Sequence, residues 1–456
     1  MMCAGESESP VPTAPRPPSA SRPPADRGDD RVPRLIDAAR TARAAQPVLS
    51  RRRLGALLAP AALASTAALG LAGCGSSSSS DPTSLRIVDY YNTPADDVVI
   101  EETFTKSAKD LGLTFSREKV PGDQLIPKVL QMGSSKTLPD ILMLDNPDLP
   151  QLAASGALAP LEQYGFSTEG FTPSIADLGM LDGTLYAIAP TVNTIALFFN
   201  VPMLEKAGID PPTTWEETRE AARVLTGDGT YGIAFSAIAT YEGTFQFMPF
   251  MWSNGGDEKD LATPEVAGAA EFWSQLLQDG SASRSVVNWG QGDAMDQFKA
   301  GKAAMVVNGP WNIAGLTADT PDLEWDVVTL PVPRSGAESI APLGGEVWTV
   351  PVTGDEEKQR NAAKLLKSFV APENQLRMGT ARSTIPGHAA TAEQFASEHP
   401  DLATFVEQVS TARARTGELG PEWPRTAKAI YTANQEVLVD DTDPAKAFDE
   451  AARTVS

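Results

Sequence analysis

An α/β fold is predicted by two observations. Strand-like and helix-like stretches alternate along the chain from Leu85, and the strand candidate Ile141-Leu142-Met143-Leu144 is an apolar run that ends on a carboxylate, Asp145. Such alternation argues for a parallel, α/β-type sheet covered by helices on both faces. In sheets of this kind ligands bind beyond the carboxyl ends of the strands. Tyr90, Tyr91 and Asn92 occupy one such end, and Asp145 and Asn146 another.

The elements follow in order. Leu85–Tyr91 reads as a strand, about Asp97–Leu111 as a helix, Leu113–Val120 as a strand, Asp123–Met132 as a helix and Pro139–Asp145 as a strand. Asn193–Asn200 is a long extended apolar segment. Pro202–Ala207 is a short helix with Gly208 as its C-cap. Thr214 caps the next helix, with Glu217 three residues on completing a capping box. Tyr231–Phe235 reads as a strand, Ala262–Gln278 and Asp293–Ala300 as helices and Ala303–Asn308 as a strand. Gly309-Pro310-Trp311-Asn312 turns into another helix, Trp325–Leu330 and Glu346–Val350 are strands, and Asp355–Ser456 is mainly helical.

The N-terminal 83 residues differ in kind. Residues 1–47 hold nine prolines and no aromatic residue, a composition that cannot offset the entropy of ordering, so this extension is expected to be disordered. Its length before a leader suggests synthesis starting near Val48, which N-terminal sequencing of the precursor would test. Residues 48–73 read as a signal peptide: Ser50-Arg51-Arg52-Arg53 precedes a charge-free run, Leu54–Gly73, that ends in small residues. The paired arginines hint at twin-arginine export. Twenty uncharged residues could also span a bilayer, but the run is mostly Ala, Gly and Leu and ends in Gly-Cys-Gly-Ser, not at a charged stop. Leu71-Ala72-Gly73-Cys74 resembles a bacterial lipobox, which implies lipidation of Cys74 and attachment to a membrane. Residues 74–83, with five consecutive serines, read as a flexible linker.

Charge divides at the same place. Residues 1–73 carry 10 arginines against 6 acids, whereas the remainder carries 27 basic against 53 acidic residues, a formal charge of −26. So acidic a body argues against nucleic-acid binding through phosphates and fits solubility outside the cell. The cysteines are Cys3 and Cys74, so a chain processed at Cys74 has no disulfide. The histidines, His388 and His399, lack zinc-site spacing, no Gly-x-Ser-x-Gly elbow occurs, and no metal or cofactor is expected. Ala300-Gly301-Lys302-Ala303 lacks the earlier glycine and the following Ser/Thr of a phosphate loop. Acids are plentiful enough for a glycosidase pair, but none is singled out. What remains is a set of aromatics beside turn residues, including Tyr91, Phe245, Trp311, Trp348 and Trp423. Aromatic faces suit the C–H faces of sugar rings, and an apolar pocket with a few fixed polar groups is the usual small-molecule site. Any one of these rings could instead be core.

From Leu85 onward the chain resembles extracellular solute-binding proteins of the maltose-binding type. The segment Phe298-Lys299-Ala300-Gly301-Lys302-Ala303-Ala304-Met305-Val306-Val307-Asn308-Gly309-Pro310-Trp311 carries most of the likeness. Pro139-Asp140-Ile141, Ala207–Glu217 and Ser253-Asn254-Gly255-Gly256 support it in the right order. The resemblance implies a type II periplasmic-binding-protein-like fold, with two lobes around a central ligand cleft. One lobe would comprise 84–197 and 341–380, the other 198–340 and 381–456, with Asn193–Asn200 as a hinge crossing. It implies a monomer that presents its ligand to the permease of an ABC importer. It places Trp311, Phe245 and Trp423 as stacking platforms, Asp145 and Asn146 as hydroxyl acceptors, and Asn193 and Glu346 beside the hinge. Glu346 and Trp348 stand where smaller residues are common in the family, which leaves the solute open between a sugar and a polyamine or other cation. A secreted glycosidase and a sensory binding protein serving a receptor are the other readings.

Overall fold

The computed structural model describes residues 81–456, apart from 92–93, 415–418 and 456. The N-terminal extension, the signal peptide, Cys74, the serine run and Asn92 lie outside the described residues.

The first part of the chain forms β1 (Ser84–Asp89), α1 (Pro94–Leu111), β2 (Thr114–Lys119), α2 (Gly122–Ser135), β3 (Ile141–Asp145), β4 (Ala187–Ile188) and β5 (Thr191–Val192). There follow β6 (Ala196–Asn200), α3 (Trp215–Leu225), β7 (Tyr231–Ala234), α4 (Tyr241–Ser253), α5 (Pro264–Gln278), α6 (Gln291–Lys299), β8 (Ala303–Asn308) and β9 (Trp325–Val328). The chain then returns through β10 (Pro342–Leu343), β11 (Glu346–Thr349), α7 (Glu356–Phe369), α8 (Pro372–Arg382), β12 (Ile385–Pro386), β13 (Arg413–Ala414), α9 (Trp423–Val439) and α10 (Pro444–Val455).

Local signals account for many of these boundaries. Asp96 and Asp97 stand in the first turn of α1 and Lys109 in its last, each complementing the helix dipole. The predicted capping box of α3 is present: Thr214 Oγ1 accepts from the Glu217 N–H at 3.3 Å, and Glu217 Oε2 accepts from the Thr214 N–H at 3.0 Å. Gly208 ends the short helix before it in the left-handed region, φ 69°, where a Cβ is costly. Helix α4 is absent from the sequence prediction. Residues 243–252 are all buried, the polar Thr244 and Gln246 included, so the stretch has no solvent face and shows no clear helical period.

Two sheets organise the fold. The first runs β2-β1-β3-β11-β4 and the second β9-β6-β8-β7. Both are mixed rather than parallel. β1 pairs parallel with β2 and β3, but β11 lies antiparallel between β3 and β4. β8 is parallel to β7, and β6 is antiparallel to both β8 and β9. The reason is topological: β11 enters the first sheet after the chain has visited the second, so it does not arrive by a local right-handed crossover.

The segments between the sheets are tied together. Asn193 and Gly344 exchange backbone hydrogen bonds of 3.2 and 2.8 Å, and Thr194 Oγ1 donates to the Pro342 carbonyl at 2.8 Å. A Cβ on Gly344 would lie 2.2 Å from Asn193 Oδ1, and Gly345 has φ 115°, so side chains larger than hydrogen are disfavoured at both positions. The resemblance assigned residues from 381 onward to the second lobe. However, β12 pairs with β5, and the Gly387 carbonyl accepts from the Thr172 N–H. That stretch therefore packs on the side of the first sheet. Helices α9 and α10 belong with α4 and α5, in the core that backs the second sheet.

Candidate functional site

A cavity of about 370 Å³ lies where strand ends of the first sheet, the Gly344-Gly345 crossing and the second sheet's flank meet. This volume is in the range that holds a small organic solute. Its first wall is a charged network. Glu346, the first residue of β11, is only 9 % exposed. Its Oε1 accepts from the Tyr90 hydroxyl at 2.8 Å, and its Oε2 accepts from the Tyr91 hydroxyl at 2.6 Å and from Arg382 Nη2 at 3.4 Å. Arg382 also donates from Nε to Asp96 Oδ1 at 2.6 Å and from Nη1 to Thr191 Oγ1 at 3.3 Å. Its guanidinium lies 4.3 Å from the centre of the Tyr91 ring.

The network's electrostatics follow from burial and neighbours. Burial, then the Glu346 charge, push the Tyr90 hydroxyl well above the ordinary tyrosine range. Tyr91 is also raised by burial; Arg382 opposes the shift and Glu346 adds to it. Burial alone would lower Arg382, but Tyr91, Glu346 and Asp96 together raise it well above its usual value. Arg382 is thus permanently charged, and both tyrosines are neutral donors to Glu346. Their hydroxyl oxygens keep acceptor capacity for a ligand.

A buried ion pair holds the Tyr91 backbone in place. Asp89 Oδ1 accepts from the Tyr91 N–H at 2.9 Å, and Arg117 pairs with Asp89 at 2.5 and 2.8 Å while donating to the Tyr91 carbonyl at 3.3 Å. Asp89 is fully buried and the Arg117 side chain nearly so. Paired charges of this kind fix a conformation because breaking them leaves a buried charge.

The opposite wall is aromatic. Phe245 and Tyr241 come from α4, and Trp311 from the turn after β8. The Phe245 and Trp311 rings are 6.5 Å apart at 42°. Fully buried Gln246 locks α4 to the sheet: Nε2 donates to the Val307 carbonyl at 3.0 Å, and Oε1 accepts from the Ser236 N–H at 3.3 Å. Asn308 explains the Asn-Gly-Pro-Trp-Asn spacing. Its Oδ1 accepts from the Gly309 N–H at 2.9 Å and from Asn312 Nδ2 at 2.7 Å, while its Nδ2 donates to the Gln291 carbonyl at 2.7 Å. The Trp311 ring folds back over Gly309, where a Cβ would meet ring carbons at 1.9 Å. Gly309→Ala is therefore expected to displace Trp311 and to lower the affinity for whatever solute the cavity takes. Calorimetric titration beside the unaltered chain measures this, and a melting temperature within a few degrees would show that the loss is local.

Of the residues predicted from sequence, Tyr91, Asp145, Asn193, Phe245, Trp311 and Glu346 line this cavity. Three others lie elsewhere. Trp348 is fully buried. It shares a sheet face with Glu346 two residues earlier, but sits one pleat deeper, against Phe104 and Phe369 at 5.2 and 4.8 Å. Trp423 is also fully buried, because Pro424 stands in the first turn of α9 and is not part of a surface turn. Asn146 is 2 % exposed and points at the crossing, donating to the Gly345 carbonyl at 2.9 Å. Tyr90, which the sequence places at a ligand-binding strand end without singling it out as a contact, lines the cavity too. The prediction omitted Asp96, Tyr241, Glu242, Gln291 and Arg382. Tyr241 and Glu242 open the helix whose period is hidden, and nothing local marks Arg382. Among the described residues no group of three or more His, Cys, Asp or Glu side chains could hold a metal ion.

Residues 101–404 match the family model described as bacterial extracellular solute-binding protein. The chain belongs to this family. It is 24 % identical over 357 residues to a binding protein of Brucella abortus (strain 2308), covering 76 % of this chain and 85 % of that one. It is 23 % identical to the galactooligosaccharide-binding protein of Bacillus subtilis (strain 168), covering 86 % and 94 % respectively. Among solved structures, it is similar to an ABC transporter solute-binding protein from Thermotoga lettingae bound with α-D-tagatose. There the TM-score is 0.72 at 22 % identity, covering 82 % of this chain and 98 % of that one. This solute-binding family member thus has the two-lobed type II periplasmic-binding fold.

Proposed function

We propose that this solute-binding protein captures a sugar or oligosaccharide in the cavity between Glu346 and Trp311 and delivers it to the permease of an ABC importer. One observation carries the reading: an aromatic wall of Phe245, Tyr241 and Trp311 faces a wall of hydrogen-bond acceptors across about 370 Å³. Flat rings cover the C–H faces of a sugar, and the acceptors meet its hydroxyls. The sugar-binding relatives and the transporter-derived structure support it. The Asn193 and Gly344 crossings serve as the hinge, and a solute touching both walls favours the closed state in proportion to its differential affinity for that state. The site acts by binding, without turnover.

A thermal-shift screen of mono- and oligosaccharides tests the proposal. A saturable rise in melting temperature with at least one sugar is expected. Stabilisation by spermidine and by no sugar would replace the sugar reading with a cationic solute. In the same proposal Cys74 carries the lipid, and the Ser-rich segment holds the body off the membrane. Cys74→Ala is then expected to move the protein from the membrane fraction to the medium; unchanged membrane retention would remove the anchor.

A further inference from the structure

The hydrogen bonds of the first wall run inward. The Tyr90 hydroxyl donates to Glu346 Oε1 at 2.8 Å, and the Tyr91 hydroxyl donates to Glu346 Oε2 at 2.6 Å. Arg382 Nη2 donates to the same Oε2 at 3.4 Å. Glu346 thus accepts from three donors, and a carboxylate offers about four acceptor sites. It lines the cavity, but its oxygens are largely satisfied within the protein.

The two tyrosines differ in what they present to a solute. Tyr91 is only 4 % exposed, and the Arg382 guanidinium lies over its ring at 4.3 Å. Tyr90 is half-buried and lines the cavity beside Glu346. Its ring meets the Tyr91 ring edge-on at 5.5 Å. Burial and the Glu346 charge keep the proton on Tyr90. A phenol whose one hydrogen is committed to a carboxylate has only lone pairs left to offer. The bond to the carboxylate also polarises the phenol oxygen, so those lone pairs accept more strongly. Tyr90 in this way passes the influence of Glu346 to the cavity without exposing the carboxylate itself.

We propose that Tyr90 is a specificity-determining residue of the site: its oxygen accepts from an unsubstituted hydroxyl of the saccharide, and the site rejects a saccharide in which that hydroxyl is removed, methylated, acylated or phosphorylated. This rests on the saccharide reading above and narrows it to sugars that are free at the position Tyr90 meets. A deoxy sugar leaves the phenol oxygen without a donor once water has been displaced. An ether, ester or phosphate oxygen at that point sets lone pair against lone pair, with no hydrogen between them. Sites built to hydrogen-bond a hydroxyl discriminate strongly against analogues that lack it.

Calorimetric titration of the full chain with maltose and lactose, each beside its monodeoxy and mono-O-methyl derivatives, tests this. With the unaltered chain, the deoxy and O-methyl derivatives at one shared position are expected to bind about tenfold more weakly than their parent sugar. In Tyr90→Phe the parent is expected to weaken about tenfold, while that deoxy derivative stays within about twofold of its affinity for the unaltered chain. A merely structural loss in Tyr90→Phe weakens every derivative alike, so the comparison holds even if the variant melts at a lower temperature. Weakening of the parent and all derivatives by one common factor overturns the contact and leaves the sugar reading intact. Parent affinity unchanged by Tyr90→Phe does the same, as does an unaltered chain that binds every deoxy derivative as tightly as the parent. Binding of spermidine with neither disaccharide bound overturns the sugar reading and the contact together.

Discussion

Trp311→Ala is expected to weaken solute affinity about tenfold or more while the fold survives. The ring is partly exposed on the cavity side and only borders the core behind the second sheet, so its removal leaves that core's buried side chains in place. Stacking contributes roughly 0.5–1.5 kcal/mol beyond area burial, and the lost apolar contact adds to it. Together they exceed the ~1.4 kcal/mol of one decade in Kd. Calorimetric titration gives the affinity and circular dichroism the fold. Near-wild-type affinity with an intact fold would mean that the solute does not touch this wall. Comparison with Gly309→Ala separates the ring's presence from its position.

Glu346→Ala is expected to cost stability as well as affinity. Removing the carboxylate leaves the buried Tyr91 hydroxyl and the half-buried Tyr90 hydroxyl without their acceptor and deprives Arg382 of one of two charged partners. Breaking a buried ion pair from one side typically costs about 3–5 kcal/mol. Asp96 still pairs with Arg382, so the low end, about 3 kcal/mol, is the expected value. Urea unfolding measures it as a lower midpoint. Glu346→Gln keeps an acceptor for one tyrosine while removing the charge, so it should fall between the alanine variant and wild type. If the alanine variant unfolds at the wild-type midpoint, the network does not hold the wall.

The two variants sample opposite kinds of legibility. Trp311 could be read from the chain because its position is encoded locally: Asn308, Gly309 and Asn312 form a self-contained turn whose hydrogen bonds span four residues. Tyr91 and Asp145 could be read because a strand followed by a turn places its last residues at a sheet edge. Arg382 could not. It ends a helix 36 residues after Glu346 and 286 after Asp96, and only the packing of α8 against α1 brings the three together. Trp348 and Trp423 failed for a related reason. Strand alternation says that a side chain shares a face with Glu346, but not whether α1 and α7 cover that face at its depth. A flanking proline marks a helix's first turn as readily as a surface loop.

The sequence by itself determined the α/β class, the order of most elements, the family likeness and six of the cavity's side chains. These depend on near-neighbour chemistry: periodicity, caps, turns and the compositional break around Cys74. The tertiary structure decided the mixed sheet order, the buried helix α4, which aromatics are core, and the Asp96–Arg382–Glu346 network. Each of these depends on contacts between residues distant in the chain, or on burial on all sides, which removes the periodic signal that would reveal an element. The cavity's charge belongs to this second kind. A chain with 53 acids after residue 73 does not show which of them face the solute until β11 is placed against β3.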